Sequence, residues 1–290
     1  MLKFLTKVFL FVFLAAIISI LALLLYKVLF NNLNKKHPDS ETLFIWGDSQ
    51  AKAGFHLSYL KDTLNYQVFS AAYGGQGVYD FLVFAETVPE NTHIVLSISQ
   101  LAQLRDKDKN RSGIPLSFLF KMISVGYYDF IPVMKKNLMP ESLFYSSSSL
   151  YPYKDSLTFH EPIEKFITIY NQDNHAVDKK NKLYMAGLKK LKSKNCSIVF
   201  VEFPFHPMLS PVLSENKSKE TIDKFWLDVS DMLGGIIYDT IYVYSEKRLM
   251  YDLTHMNEIG AELFTKEIFN NKDYSRDQNY YFILNDGFVE

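Results

Sequence analysis

The chain has 290 residues, of which 48% are hydrophobic and 22% charged, with a formal net charge of −1; these values exclude a disordered polymer, a collagen-like repeat and a strongly basic nucleic-acid-binding protein. Residues 1–40 hold five lysines and one aspartate, which leaves 26 basic and 31 acidic side chains in 41–290, a net of −5. Such a body lacks the clustered cations that release counterions from nucleic acid. The single cysteine, Cys196, excludes an internal disulfide and a multi-cysteine zinc site.

In chain order, the first feature is an uncharged run of 19 residues, 8–26, bounded by Lys7 and Lys27. At about 1.5 Å per residue it nearly spans a hydrocarbon core of roughly 30 Å, so residues 1–30 are expected to form a transmembrane anchor. The alternative is a cleaved signal peptide, but the run is longer than a usual signal core and the residues after it offer no A-x-A-like site. Lys3 and Lys7 on one side face Lys27, Lys35 and Lys36 on the other, so charge alone does not orient the anchor. Residues 31–40 read as a polar linker.

From 41 onward, short apolar runs alternate with amphipathic ones, the pattern of strands and helices in a parallel α/β sheet. A first strand is expected over 42–46, a helix over 50–64 and a second strand over 66–72. A helix over 79–86 follows a glycine turn, and the β-branched run 92–98 is the third strand. Helix 180–192 precedes the fourth strand, 197–203. Helix 220–233, a short strand over 236–239 and a helix over 258–269 follow, the last with Ile259, Leu263, Phe264 and Ile268 as its apolar face. Residues 280–284 are compatible with an added edge strand.

Between the third and fourth strands, about 105–180, the pattern is irregular and too long for an ordinary loop. Ten Phe or Tyr residues fall within 113–159, among them Tyr151 and Tyr153. They serve either as a helical cap on the sheet or as an aromatic wall for a glycan, an acyl chain or the bilayer surface.

Two segments carry candidate chemistry. Gly47-Asp48-Ser49 closes the first strand and leads into a helix, which puts the Ser49 hydroxyl at the carboxyl edge of the sheet, where open α/β sheets keep their sites. The simpler role is that Asp48 or Ser49 caps the helix. Near the other end stands Asp252-Leu253-Thr254-His255-Met256-Asn257. An aspartate three residues before a histidine can hold one imidazole nitrogen and leave the other free as a general base. Its simpler role is again capping, by Asp252 or Asn257, with His255 a surface histidine.

Taken together, in this order and context, the two segments resemble the SGNH hydrolases, also called GDSL esterases and lipases. The resemblance implies a flavodoxin-like three-layer α/β/α sandwich with a parallel sheet over 41–290. It also implies Ser49 as nucleophile, His255 as general base and acid, and Asp252 as the residue that orients His255. In that family a glycine after the second strand and an asparagine after the third stabilise the oxyanion. Here Gly75 matches the glycine best, with Gly74 its neighbour, unless Gly74 to Gly77 is only a flexible turn. At the third place Ser97-Ile98-Ser99-Gln100 lacks the asparagine; Ser99 stands at its position and Gln100 beside it, either able to donate.

His206, after Phe203-Pro204-Phe205, is a candidate substrate-side residue or an ordinary loop residue. His160 and His175 lie in the insertion. The seven histidines show no metal-binding spacing and the glycine turn matches no nucleotide loop, so no metal and no cofactor are expected. Anchored members of the family resemble cell-envelope proteins that add or remove O-acyl groups on polysaccharides, including alginate acetylation and teichoic-acid D-alanylation proteins. The resemblance therefore implies a glycan O-acyltransferase or esterase on the extracytoplasmic side of the membrane, working beside a multispan acyl-exporting partner. A lipase or thioesterase at the bilayer surface and a non-catalytic envelope-assembly protein are the alternatives.

Overall fold

The computed structural model describes residues 42–64, 67–72, 74, 76–104, 150–153, 164, 174–209, 215–238, 248–270 and 280–282, with positions 6, 9–11, 13, 14 and 17. The described positions before residue 41 belong to a separate unit; they are helical, and the rings of Phe9 and Phe13 stack with centroids 6.3 Å apart. Among the described residues no helix is long and apolar enough to cross a membrane. The expected anchor and linker lie largely outside those residues, as does most of the 105–180 insertion.

The larger unit is built on β1 (Thr42–Trp46), β2 (Gln67–Ser70), β3 (His93–Leu96), β4 (Ser197–Phe200), β5 (Ile236–Tyr238) and β6 (Tyr280–Phe282). Every pairing is parallel, in the order β2-β1-β3-β4-β6-β5. This is a flavodoxin-like order in its first four strands. The short tail strand, compatible in the sequence with an edge position, instead lies between β4 and β5.

The helices are α1 (Ser49–Gly54), α2 (Leu57–Leu64), α3 (Val78–Thr87), α4 (Gln100–Leu104), α5 (Asn174–Ser193), α6 (Lys219–Leu233) and α7 (Glu258–Asn270). They cover both faces of the sheet. Leu43, Ile45, Val95, Val199 and Val201 face α1, α2 and α7 in one apolar core with Phe55, Phe264 and Ile268. The alternate residues point the other way: Trp46 packs on Phe81 of α3 and Tyr184 of α5, with centroids at 4.9 and 6.5 Å, and Phe200 meets Trp226 of α6 at 5.1 Å. Strands covered on both sides must be apolar at successive positions, which is why β1 is a continuous run rather than an alternating one.

The single helix expected over 50–64 is two helices. α1 ends at Gly54 and Phe55 adopts an extended conformation, which drives its fully buried ring between Phe203 and Phe264 at 4.9 and 6.1 Å. His56 then restarts the helix, its Nδ1 accepting from the Tyr59 N–H. The apolar face assigned to the last helix also changes: Ile259 and Leu263 are exposed, whereas Gly260, Ala261, Phe264, Thr265 and Ile268 are buried. α5 begins earlier than expected, and α4 is an added helix, capped where the Ser99 Oγ accepts from the Ala102 N–H.

Candidate active site

The turn after β1 has no room for a side chain at its first position. A Cβ on Gly47 would overlap the Cβ of Ala51 and stand 2.9 Å from the Cβ of Ser97. Glycine lets β1 pass directly into α1 against the end of β3. Asp48 is buried and caps α1, its Oδ1 accepting from the Gln50 N–H at 2.9 Å. The capping role thus belongs to Asp48, and Ser49 is left as the first helical residue. Its own N–H has no partner among the described residues, as expected of the first turn of a helix.

The second segment is a tight loop ahead of α7. An antiparallel bridge joins Met250 to Met256, and the N–H groups of Tyr251 and Asp252 both donate to the His255 carbonyl, at 2.8 and 3.3 Å. Asn257, fully buried, ends the loop. Its Oδ1 accepts from the N–H groups of Ile259 and Gly260, while its Nδ2 donates to the Arg248 carbonyl at 2.7 Å. Because Asn257 caps α7, Asp252 is available to the imidazole.

Across the sheet edge, the His255 Nε2 lies 2.8 Å from the Ser49 Oγ, and its Nδ1 lies 2.8 and 2.9 Å from the two oxygens of Asp252. The Asp252 Oδ1 also accepts from the N–H groups of Thr254 and His255 and from the Thr254 hydroxyl, at 2.7, 2.8 and 3.1 Å. Burial pushes the Asp252 carboxyl up, but the hydrogen bond and charge of His255 and the two N–H donors outweigh it and hold the group below its ordinary value. An ionised Asp252 on Nδ1 fixes the tautomer in which Nε2 accepts from a hydroxyl.

The remaining candidate residues fall around this row. Gly74 borders Ser49: a Cβ built on it would be 3.6 Å from the Ser49 Cβ. Gly75 lies outside the described residues. Ser99 is buried and its hydroxyl caps α4; Gln100 is buried, and its N–H donates to the Glu202 Oε1 at 3.3 Å. The His206 N–H donates to the Leu253 carbonyl at 2.9 Å, so the chain after β4 braces the Asp-Leu-Thr-His loop, while its Nδ1 accepts from the Met208 N–H. His175 is exposed on α5, and His160 lies outside the described residues.

Sequence reasoning singled out neither Gln50, Thr254 nor Glu202, because each acts through a partner distant in the chain or through a backbone group. Tyr151 and Tyr251 were also unassigned at the triad. Their rings stack at 4.3 Å, and Tyr151 meets His255 edge-on at 5.2 Å. Burial, followed by the negative charge of Asp252, raises the Tyr151 phenol above its ordinary value, so it remains a neutral wall beside the imidazole. Among the described residues no three His, Cys, Asp or Glu side chains cluster as metal ligands would.

No protein-family model matches the chain, and no curated protein matches it. Among solved structures it is similar to the protein YxiM of Bacillus subtilis, at 11% identity and a TM-score of 0.38, over 81% of this chain; the chain spans 58% of that structure's length.

Proposed function

We propose that the protein is a serine-dependent acyl-transfer enzyme of the SGNH type. The observation that carries this reading is the unbroken row Ser49 Oγ, His255 Nε2, His255 Nδ1 and Asp252, with both contacts to the imidazole at 2.8 Å. In this mechanism Ser49 attacks the carbonyl carbon of an acyl donor as its hydroxyl proton passes to the His255 Nε2. The developing oxyanion is stabilised by the Ser49 N–H and, as the resemblance implies, by the N–H of Gly75 or of its neighbour Gly74. His255 then returns the proton to the leaving group, and the acyl group remains on Ser49 as an ester. An incoming hydroxyl then attacks the ester carbonyl as its proton passes to the His255 Nε2, and the imidazolium returns that proton to the departing Ser49 Oγ, which frees the serine.

The proposed substrates are O-acyl groups of cell-envelope glycans, with a sugar hydroxyl or water as acceptor. In this reading residues 8–26 anchor the protein, the α/β domain faces the extracytoplasmic side, and a multispan acyl-exporting protein supplies the donor. These finer points rest on the resemblance of the Gly-Asp-Ser and Asp-x-x-His segments and on the apolar run.

One observation favours a second reading, a binding protein that keeps the fold without turnover. At the third oxyanion position the asparagine is absent: Ser99 stands there with its Oγ accepting the Ala102 N–H, and the Gln100 backbone N–H donates to Glu202, so the place of the asparagine amide is left to the Ser99 O–H and the Gln100 side chain; losing one oxyanion donor costs about 10²–10³-fold in rate. A fluorophosphonate probe separates the two readings. The enzyme reading expects labelling of the folded wild type and none of Ser49→Ala; an unlabelled, folded wild type selects the binding protein. If the wild type labels, acetyl release from p-nitrophenyl acetate by the unmodified enzyme that accelerates with added sugar identifies transfer.

A further inference from the structure

Gln50 follows the nucleophile directly, and its side chain is 4% exposed. Its Nε2 donates to the Thr254 carbonyl at 2.8 Å, across 204 positions of sequence, while its Oε1 is buried without a hydrogen-bond partner among the described residues. An orphaned buried carbonyl is destabilising, a penalty that an apolar side chain of the same size would avoid. The amide is therefore retained for its donor half.

What that donor holds is specific. Thr254 is the residue whose N–H and hydroxyl both bind the Asp252 carboxylate, and its carbonyl leads directly into His255. On its own side Gln50 is equally fixed, with its N–H on the Asp48 carboxylate. Beside this bond, α1 and the loop before α7 are joined by the Ser49–His255 contact, which must break and re-form during acyl transfer, and by apolar packing of Ala51 and Gly54 near Met256.

We propose that Gln50 is a positioning residue, a clamp that ties the helix bearing Ser49 to the Asp252–His255 loop and sets the distance from Ser49 Oγ to His255 Nε2. The effect on rate rests on the acyl-transfer reading above; the clamp itself does not. A misplacement near 1 Å of groups that must react in line costs about 10²-fold, so Gln50→Leu is expected to slow fluorophosphonate labelling of Ser49 by about 10- to 100-fold per folded molecule.

The control is Thr265→Val. The buried Thr265 hydroxyl accepts from the His56 N–H at 3.0 Å, a hydrogen bond that joins the chain just after α1 to the body of α7, beyond the loop and away from the triad. Thr265→Val is expected to lower the melting temperature and leave the labelling rate unchanged. Hydrogen exchange of the peptide covering 248–257 is measured on the same full-length proteins, and Gln50→Leu is expected to speed exchange at Thr254 and His255 where Thr265→Val does not. Labelling of Gln50→Leu at the wild-type rate, or an equal slowing by Thr265→Val, overturns the positioning role. If the wild type does not label, the acyl-transfer reading fails and exchange alone decides the clamp: unchanged exchange in Gln50→Leu overturns it, and faster exchange supports it.

Discussion

Glu202 stands just beyond β4, partly buried, with its Oε1 accepting from the Gln100 N–H. Burial pushes its carboxyl well above the ordinary value near 4.5, and the Asp48 charge adds to this, while the Gln100 N–H pulls the other way. A carboxyl raised on folding contributes stability that is complete below its unfolded value and is lost as pH rises through the folded one. The wild type is therefore expected to lose melting temperature as pH increases above about 4.5. Glu202→Gln keeps the acceptor oxygen and removes the titration, so its melting curve should be flatter over the same range. Parallel pH profiles for the two proteins would refute the assignment. Asp252 has the opposite sign: its lowered carboxyl adds stability above its unfolded value, and that contribution is lost only as pH falls through the folded value.

The turn from β1 into α1 is the element on which the site depends. Its glycine is required by packing, because the Cβ that Gly47 lacks would fall on Ala51 of the new helix and close to Ser97 at the end of β3. Overpacking of this kind costs about 1–3 kcal/mol. Gly47→Ala is expected to lower the melting temperature by about 2–4 °C per kcal/mol and, by tilting α1, to slow labelling of Ser49 more than its stability loss explains. A melting temperature and labelling rate equal to wild type would show that the turn relaxes without cost. The break between α1 and α2 follows the same logic of packing over local preference. Apolar spacing through 50–64 suits one helix, but the core gains more from burying Phe55 among Phe203, Phe264 and Phe269 than the chain loses by interrupting a helix after Gly54.

For the whole molecule, the proposed anchor and envelope location yield a test independent of the triad: a reporter fused after Glu290 should read as extracytoplasmic, and a cytoplasmic signal would reject the envelope-glycan substrate. Within the α/β unit, the sequence alone determined the parallel alternation, the positions of β1 and β3, and the two ends of the site, Gly47-Asp48-Ser49 and Asp252-x-x-His255. These are local signals: continuous apolar runs mark strands covered on both faces, and a short motif carries its own turn chemistry. Only the tertiary structure decided that β6 enters between β4 and β5, that the buried face of α7 joins Gly260 and Ala261, rather than Ile259 and Leu263, to the expected Phe264 and Ile268, and that Asp48 and Asn257 take the caps. It also decided the pairings of Gln50 with Thr254 and of Gln100 with Glu202. A hydrogen bond across 204 or 102 residues leaves no periodicity in the chain; it exists only once the sheet has brought the ends of β1, β3 and β4 to one edge.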